Sequence, residues 1–456
     1  MPEGNTAPKP EGNPEGKRFQ PPTGGRDLLP LDVVQKRWIE DRLEHIFHGW
    51  GYHRIITSTV ETMDTLMAGG AIDRVEVIEL QLGQAGAQRL GLRPELTASI
   101  ARAAVTRLAS VTYPQRLYYN ANVFRRTATG SQGGQQEYHQ AGIELLGASG
   151  LMADAEAILL ISDCLSALDL ASATASATAS AAASATASAA ASTTLVLGEA
   201  ALTYSLLSAF SAEIREEVRR NIAALDQVAI EEMSLPAEQK DLALRLMNLR
   251  GAPETVLAKL SEFALNDEQR AIASQLKSLV ALLEQERDRG IPIPSIVLDL
   301  SLIRPFDYYT GIVFEVVSNR SRQTLGQGGR YDDLLSVYDT RAQGEAKGFP
   351  GVGFVLNIEQ LQQELLPSGR LPSELPPTDW LIVPKDDSAA AAALAYAQKA
   401  RQSAMQTTGV QRSVRVEMSL DLHQSADEVR AIARKRNINR IAWISAEGLP
   451  NIEIVN

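Results

Sequence analysis

Two extended runs, RLYYNANVFRRT at residues 116–127 and EYHQAGIELLG at 137–147, are separated by a short loop of Gly, Gln and Ser. No other stretch constrains the fold as tightly. Strands joined so closely pair antiparallel, because a parallel partner needs a crossover of about a dozen residues or more. The chain must therefore build an antiparallel sheet, and its neighbours supply helices to cover it. From Leu31 to Trp50, Val33, Val34, Trp38, Ile39, Leu43 and Ile46 recur at three- and four-residue spacing. That pattern predicts an amphipathic helix ending at the glycines near residue 50. YHRIITSTVET (52–62) reads as a strand, and RLGLRPELTASIARAAVTRLAS (89–110) as an extended segment entering a helix near Thr97. Residues 200–290 turn helical before strands resume in SIVLDLSLIRPFDYYTGIVFEVV (295–317). The expected class is α+β, an antiparallel sheet flanked by helices and interrupted by a helical insertion.

Composition bounds the surroundings of this core. Residues 1–20 are Pro-, Gly- and Glu-rich with little to bury, and are expected to be disordered. Residues 21–365 form the main domain, and within it 171–194 contain only Ala, Ser and Thr, a surface insertion without large apolar anchors. A proline-rich linker at 366–377 precedes residues 378–456, whose strands and helices alternate as βαβαβ. The net charge of −11 argues against a chain whose main task is gripping phosphates. Within 378–456, ten Lys and Arg stand against nine Asp and Glu, so nucleic acid is not expected as a partner. The single cysteine, Cys164, excludes an internal disulfide and a cysteine zinc site. His45, His48 and His53 lie close together, but no carboxylate ligand set accompanies them and no metal is expected. No apolar run approaches the roughly 18–20 residues of a membrane span, and a soluble cytosolic chain is expected.

One segment is out of character for a core strand. SLIRPFDYYTGIVFEVV (301–317) places Arg304, Asp307, Tyr308 and Tyr309 at its head. An arginine, a carboxylate and two phenols in six positions point to the lining of a pocket. Taken singly, each such residue also has a structural reading. A Glu after Pro, such as Glu95, often caps a helix, and a strand Tyr is usually core.

Five motifs, GLRPELTASIAR, VFRRT, EYHQAGIELLG, IRPFDYYTGIVFEV and GQGGRYDDLL, occur in an order and spacing that resemble the catalytic domain of the class II histidyl-tRNA synthetases. The likeness covers about residues 20–365, the 171–194 stretch apart, and 378–456 resemble a synthetase anticodon-binding domain. Two families share this fold: the synthetases, and the synthetase-like regulatory subunits of ATP phosphoribosyltransferase. Fold alone does not separate them; their sites do.

The resemblance implies a histidine-binding half. Glu95, Thr97 and Gln140 would hold the ammonium group, Glu144 and Tyr309 the imidazole with Tyr308 beside them, and Arg125 with Gln140 the carboxylate. Arg304 stands where the synthetases keep a histidine-specific arginine. The nucleotide half departs from the synthetase pattern. F-R-x-E of the second motif is Phe124, Arg125, Arg126, Thr127, and G-L-E-R of the third is Asn357, Ile358, Glu359, Gln360. A carboxylate and a phosphate-gripping arginine are replaced, and these charges are what stabilises a transferring phosphate. Ser58 replaces the first-motif proline of the dimer interface. The resemblance thus implies a non-catalytic regulatory subunit, with no catalytic residue, cofactor or metal of its own, that binds L-histidine, forms a self-dimer and joins the short-form catalytic subunit in a hetero-octamer. A synthetase of unusual sequence and a histidine sensor for another target are the alternatives.

Overall fold

The computed structural model describes residues 20–70, 72–81, 88–126, 134–171, 193–302, 308–339, 349–403 and 414–455. The chain divides into two compact units between Pro372 and Ser373. Within the N-terminal unit, α1 (Pro30–Gly49) starts with a proline, whose fixed φ suits a first helical position and whose missing N–H is not needed there. Its buried stripe is Gln35, Ile39, Leu43 and Phe47 at four-residue spacing. Val33, expected inside, is exposed. Gln35 takes an inner place because its amide is satisfied, accepting from Gln362 at 2.9 Å and donating to the Pro372 carbonyl at 2.8 Å.

The strand expected over 52–62 is broken into β1 (His53–Arg54) and β2 (Val60–Thr62), which lie in different sheets. The cause is Arg93, whose buried guanidinium bonds the carbonyls of Thr57 (2.9 Å) and Ser58 (3.2 Å). Those acceptors are occupied by a side chain, so the ladder stops. After α2 (Met63–Ala68), strands β3 (Ile78–Leu80) and β4 (Leu90–Leu92) complete a small sheet in the order β2-β4-β3. Helix α3 (Thr97–Thr106) follows.

The long pair read from the sequence is β5 (Gln115–Phe124) and β6 (Glu137–Leu146), antiparallel without a break from Gln115 opposite Leu146 to Phe124 opposite Glu137. Next come α4 (Leu151–Ala167) and β7 (Thr193–Glu199). Most of the Ala/Ser/Thr stretch, 172–192, lies outside the described residues, as do 1–19; Thr193 and Thr194 already belong to β7. The helical insertion comprises α5 (Ala200–Leu207), α6 (Ala212–Ala223), α7 (Gln227–Glu232), α8 (Ala237–Met247), the short β8 (Arg250–Gly251), α9 (Pro253–Ser261) and α10 (Asp267–Asp288).

The strands expected within 295–317 are β9 (Ser295–Asp299) and β10 (Ile312–Ser318), and the second begins later than the 301–317 strand read from the sequence. Tyr308 and Tyr309 therefore lie in the connection ahead of β10, not on it. Strand β11 (Thr324–Arg330), helix α11 (Leu334–Tyr338), strand β12 (Gly351–Asn357) and helix α12 (Ile358–Leu365) close the unit. The main sheet runs β1-β5-β6-β12-β11-β10-β7-β9-β8. Its centre, β5 through β7, is antiparallel as expected, while the β1–β5 and β7–β9 pairs are parallel. Helices α1, α4, α10 and α12 contribute to the apolar core packed on it, with Phe47 5.3 Å from Tyr118 between ring centroids.

The C-terminal unit contains β13 (Trp380–Pro384), α13 (Ala390–Ser403), β14 (Val416–Met418), α14 (Ala426–Lys435), β15 (Arg440–Ile444) and β16 (Pro450–Ile454). Its sheet order is β14-β13-β15-β16, parallel except for the last pair. Strand β16 was not legible in the sequence. PNIEI carries little apolar weight, and it forms as an edge strand whose residues are mostly exposed.

Candidate functional site

The site is built on one row of the main sheet. Cross-strand pairing sets Leu117, Glu144, Gly353, Gly329 and Val313 side by side. Two adjacent glycines leave a floor without side chains, and the neighbours fold over it. A Cβ on Gly353 would lie 2.0 Å from Glu144 Oε2, so only glycine lets that carboxylate rest on β12.

Glu144 is buried, and three elements meet on it. Thr97, the first residue of α3, donates its hydroxyl to Oε1 at 2.7 Å, and Tyr331, just past β11, donates its phenol to Oε2. Burial pushes the Glu144 carboxyl up to about 8; the two hydroxyl bonds oppose that shift, and the nearby charge of Glu95 adds to it. The Tyr331 phenol is itself driven well above its ordinary range by burial and by Glu144.

Glu95 holds the start of α3. Its Oε2 accepts from the Thr97 N–H at 2.7 Å and its Oε1 from the Ala98 N–H at 2.8 Å. This is the helix-capping role that its position after Pro94 allowed. It leaves acceptor capacity, since a carboxylate has about four lone-pair positions. Burial raises its pKa, with the α3 bonds and Arg125 pulling the other way.

A cavity with about 460 Å³ of empty space, its open mouth included, lies against these groups. Glu95, Thr97, Arg125, Gln140, Glu144, Tyr308 and Tyr309 all line it. Arg125 is oriented by its Nε bond to the Pro94 carbonyl at 3.0 Å. The rings of Tyr308 and Tyr309 stand 4.8 Å apart, and Tyr331 meets Tyr308 edge-on at 5.7 Å. Arg304 and Thr127 lie outside the described residues. Sequence reasoning missed Tyr119, Gln327 and Tyr331, which also line the cavity. The GQGGRYDDLL motif held a signal for two of them, because a Gln and a Tyr four apart on a glycine-rich strand share a face. Chemically the cavity offers two carboxyl groups and one guanidinium among phenols and amides. That set is complementary to a small zwitterion with a further cationic or N–H-bearing group.

The β12–α12 junction beside it is engaged internally. Glu359 accepts from the His139 N–H at 3.1 Å and lies 2.9 Å from His139 Nδ1, with Arg26 at 3.9 Å. Burial raises its pKa, but the His139 bonds outweigh this and leave it lowered. Asn357 Oδ1 accepts from Gln140 at 3.4 Å. The Gln360 side-chain oxygen is buried without a hydrogen-bond partner among the described residues.

A family model described as Histidyl-tRNA synthetase matches residues 24–179 and 171–361. The chain is 52% identical to the ATP phosphoribosyltransferase regulatory subunit of Nostoc punctiforme, over 95% of this chain and 99% of that one. It is 51% identical to the protein of the same name from Nostoc sp. PCC 7120, over 96% and 99%. Among solved structures, an ATP phosphoribosyltransferase regulatory subunit/histidyl-tRNA synthetase from Bacillus halodurans superposes with a TM-score of 0.73 at 24% identity, covering 94% of this chain and 98% of its own. Histidyl-tRNA synthetase from Nostoc sp. PCC 7120 gives 0.70 at 19%, covering 96% and 97%. At these identities the two structures share the fold.

Proposed function

The chain belongs to the family of ATP phosphoribosyltransferase regulatory subunits, histidyl-tRNA synthetase-like in fold, and from that premise we propose that it is a non-catalytic subunit that activates a short-form catalytic partner in the first step of L-histidine biosynthesis and mediates feedback by histidine. The observation that carries this reading is the near-full-length likeness to subunits of that name, at about half identity. The cavity supplies the physical reason for histidine as effector. Glu95 and Gln140 meet the ammonium group, Arg125 and Gln140 the carboxylate, and Glu144 with Tyr308 and Tyr309 the imidazole. A site whose buried polar groups pair with imidazole N–H groups rejects analogues lacking them, because those groups would be left unpaired. Arg304 is assigned to the same ligand by resemblance.

Three features of the nucleotide side support a subunit without synthetase chemistry. Thr127 and Gln360 replace a carboxylate and an arginine, and Asn357 puts a side chain where the synthetases keep glycine. Glu359, which the motif retains, is bound to His139 and Arg26. With the second-motif carboxylate and the third-motif arginine both replaced, Arg125 alone of that charge set remains for the developing charge of adenylation. Feedback then rests on histidine binding one assembly state more tightly than another, a coupling of about 5–150-fold in typical systems. The working form is a hetero-octamer built around dimers of this chain, in the cytosol. Among the described residues no helix is long and apolar enough to cross a membrane.

The test mixes the purified chain with a short-form catalytic subunit and assays phosphoribosyl transfer. Activity rises on mixing and falls when histidine is added, while histidine-dependent ATP–pyrophosphate exchange is absent. Unchanged transfer activity overturns the regulatory reading, and robust exchange establishes a synthetase.

A further inference from the structure

Strand β11 and the connection ahead of β10 carry two opposite duties. Tyr308 and Tyr309 line the histidine cavity, while the next residue, Thr310, lines a second cavity. Tyr331 likewise faces the first and its neighbours Arg330 and Asp332 the second. This second cavity, with about 710 Å³ of empty space including its mouth, lies between those residues, Asp154 of α4, Glu199 at the end of β7, and helix α10.

The two segments interlock. A Cβ on Gly329 would meet the Tyr309 ring at 2.6 Å, and one on Gly311 would meet the Arg330 stem at 2.8 Å, so each segment's side chain rides on the other's glycine. The Thr310 N–H donates to the Arg330 carbonyl at 2.8 Å, and the Asp332 N–H to Thr310 Oγ1 at 2.8 Å. A shift of Tyr309 therefore carries Arg330 with it.

Arg330 in turn has a choice of partners. Its guanidinium is bonded to Asp154 Oδ2, while Asp154 Oδ1 and Asp332 Oδ1 are buried without hydrogen-bond partners among the described residues. Glu199 stands in the same cavity, its Oε2 taken by the Leu202 N–H at 2.6 Å. Burial pushes Asp154 up to about 6 and Glu199 up to about 7, and raises Asp332, with the Arg330 charge lowering all three. One guanidinium stands within electrostatic reach of three carboxyl groups, beside open volume, and is bonded to one of them.

We infer that Arg330 is a positioning residue that couples occupancy of the histidine cavity to the packing of α10, the helix of the insertion that walls the second cavity. The inference rests on the histidine reading above and deepens it, by naming the element through which the bound effector is felt. A ligand that moves Tyr309 re-aims Arg330 among Asp154, Asp332 and Glu199, and α10, packed on α4 and α5, follows.

The experiment compares wild type with Arg330→Gln and Asp154→Asn. Histidine binding to the chain is measured by calorimetry. Hydrogen exchange across residues 267–288 is followed with and without histidine, and histidine inhibition is assayed on the complex with the catalytic subunit. The expected result is histidine affinity within about threefold of wild type, because neither Arg330 nor Asp154 lines the histidine cavity. The exchange response of α10 is lost, and half-inhibition needs at least about fivefold more histidine. Should Arg330→Gln fail to fold, Asp154→Asn, which keeps shape and removes charge, decides the matter. An intact α10 response with wild-type inhibition overturns the inference. So does a collapse of histidine affinity in both variants, which would make Arg330 a support of the cavity alone. A wild-type chain that binds no histidine overturns instead the reading on which the inference rests.

Discussion

Tyr331 donates its phenolic hydroxyl to the buried carboxylate of Glu144, across a gap of more than 180 residues in the chain. The bond holds in place an acid that burial otherwise drives toward its neutral form. Replacing Tyr331 with Phe keeps the ring against Tyr308 and removes only the donor. A hydrogen bond to a charged group contributes about 1.5–3 kcal/mol. The bond is already made in the free protein, where the acid is neutral below about 8, so only its strengthening against the ionised acid of the complex reaches the affinity. Histidine binding measured by calorimetry should fall about three- to thirtyfold, with the fold retained.

Histidine binding should depend on pH as a bell. The free Glu144 carboxyl titrates at about 8 and free imidazole at about 6.5, and the complex shares one proton between them. Below about 6.5 both partners are protonated, so binding releases a proton and affinity climbs with pH. Above about 8 neither is, so binding takes one up and affinity declines. Calorimetry in buffers of different ionisation enthalpy should show release on the acid flank, uptake on the alkaline flank and neither between. A flat profile would remove Glu144 from the imidazole.

The same carboxyl affects stability. Its folded pKa of about 8 exceeds the unfolded value of 4.5, so the neutral acid's contribution is complete below 4.5 and is lost as pH rises through 8. Glu144→Gln cannot ionise. In ligand-free protein its urea midpoint should gain on that of wild type between about pH 5 and about pH 9, and the variant should bind histidine poorly at either.

Arg93→Gln tests the break between β1 and β2. The guanidinium bonds the carbonyls of Thr57, Ser58 and Asn122, the last at 3.0 Å. Thr57 and Asn122 are half-buried and Ser58 is exposed, so water meets part of the lost bonding. At about 0.5–1.5 kcal/mol for each of the three bonds, denaturant unfolding should show a loss of about 1.5–4.5 kcal/mol. The cavity lining contains none of these residues, so affinity in the protein that remains folded should stay near wild type.

Gly353→Ala places a methyl against Glu144 Oε2. Overpacking of this kind costs about 1–3 kcal/mol. A lowered thermal midpoint together with lost histidine binding is the expected pair of results. Retained binding would mean that Glu144 reaches its ligand from another rotamer.

The long β5–β6 pair, the span of α1 and the start of α3 at Thr97 were legible in the residues, because each rests on local rules: short loops force antiparallel pairing, apolar residues at three and four build a helix face, and an acid after proline caps. The candidate pocket residues could be named from motif order, but not their convergence. What brings them together is register between distant strands, Glu144 opposite Gly353 and Gly353 opposite Gly329, and no local pattern encodes a pairing across two hundred residues. The interruptions were equally hidden. Residues 52–62 look like a strand until the Arg93 side chain claims their carbonyls, and 301–317 look like a strand headed by a polar cluster until Tyr308 and Tyr309 turn toward the cavity ahead of β10. Local propensity specifies what a segment prefers. Competition for its hydrogen-bonding groups by residues far away in the chain settles what it becomes.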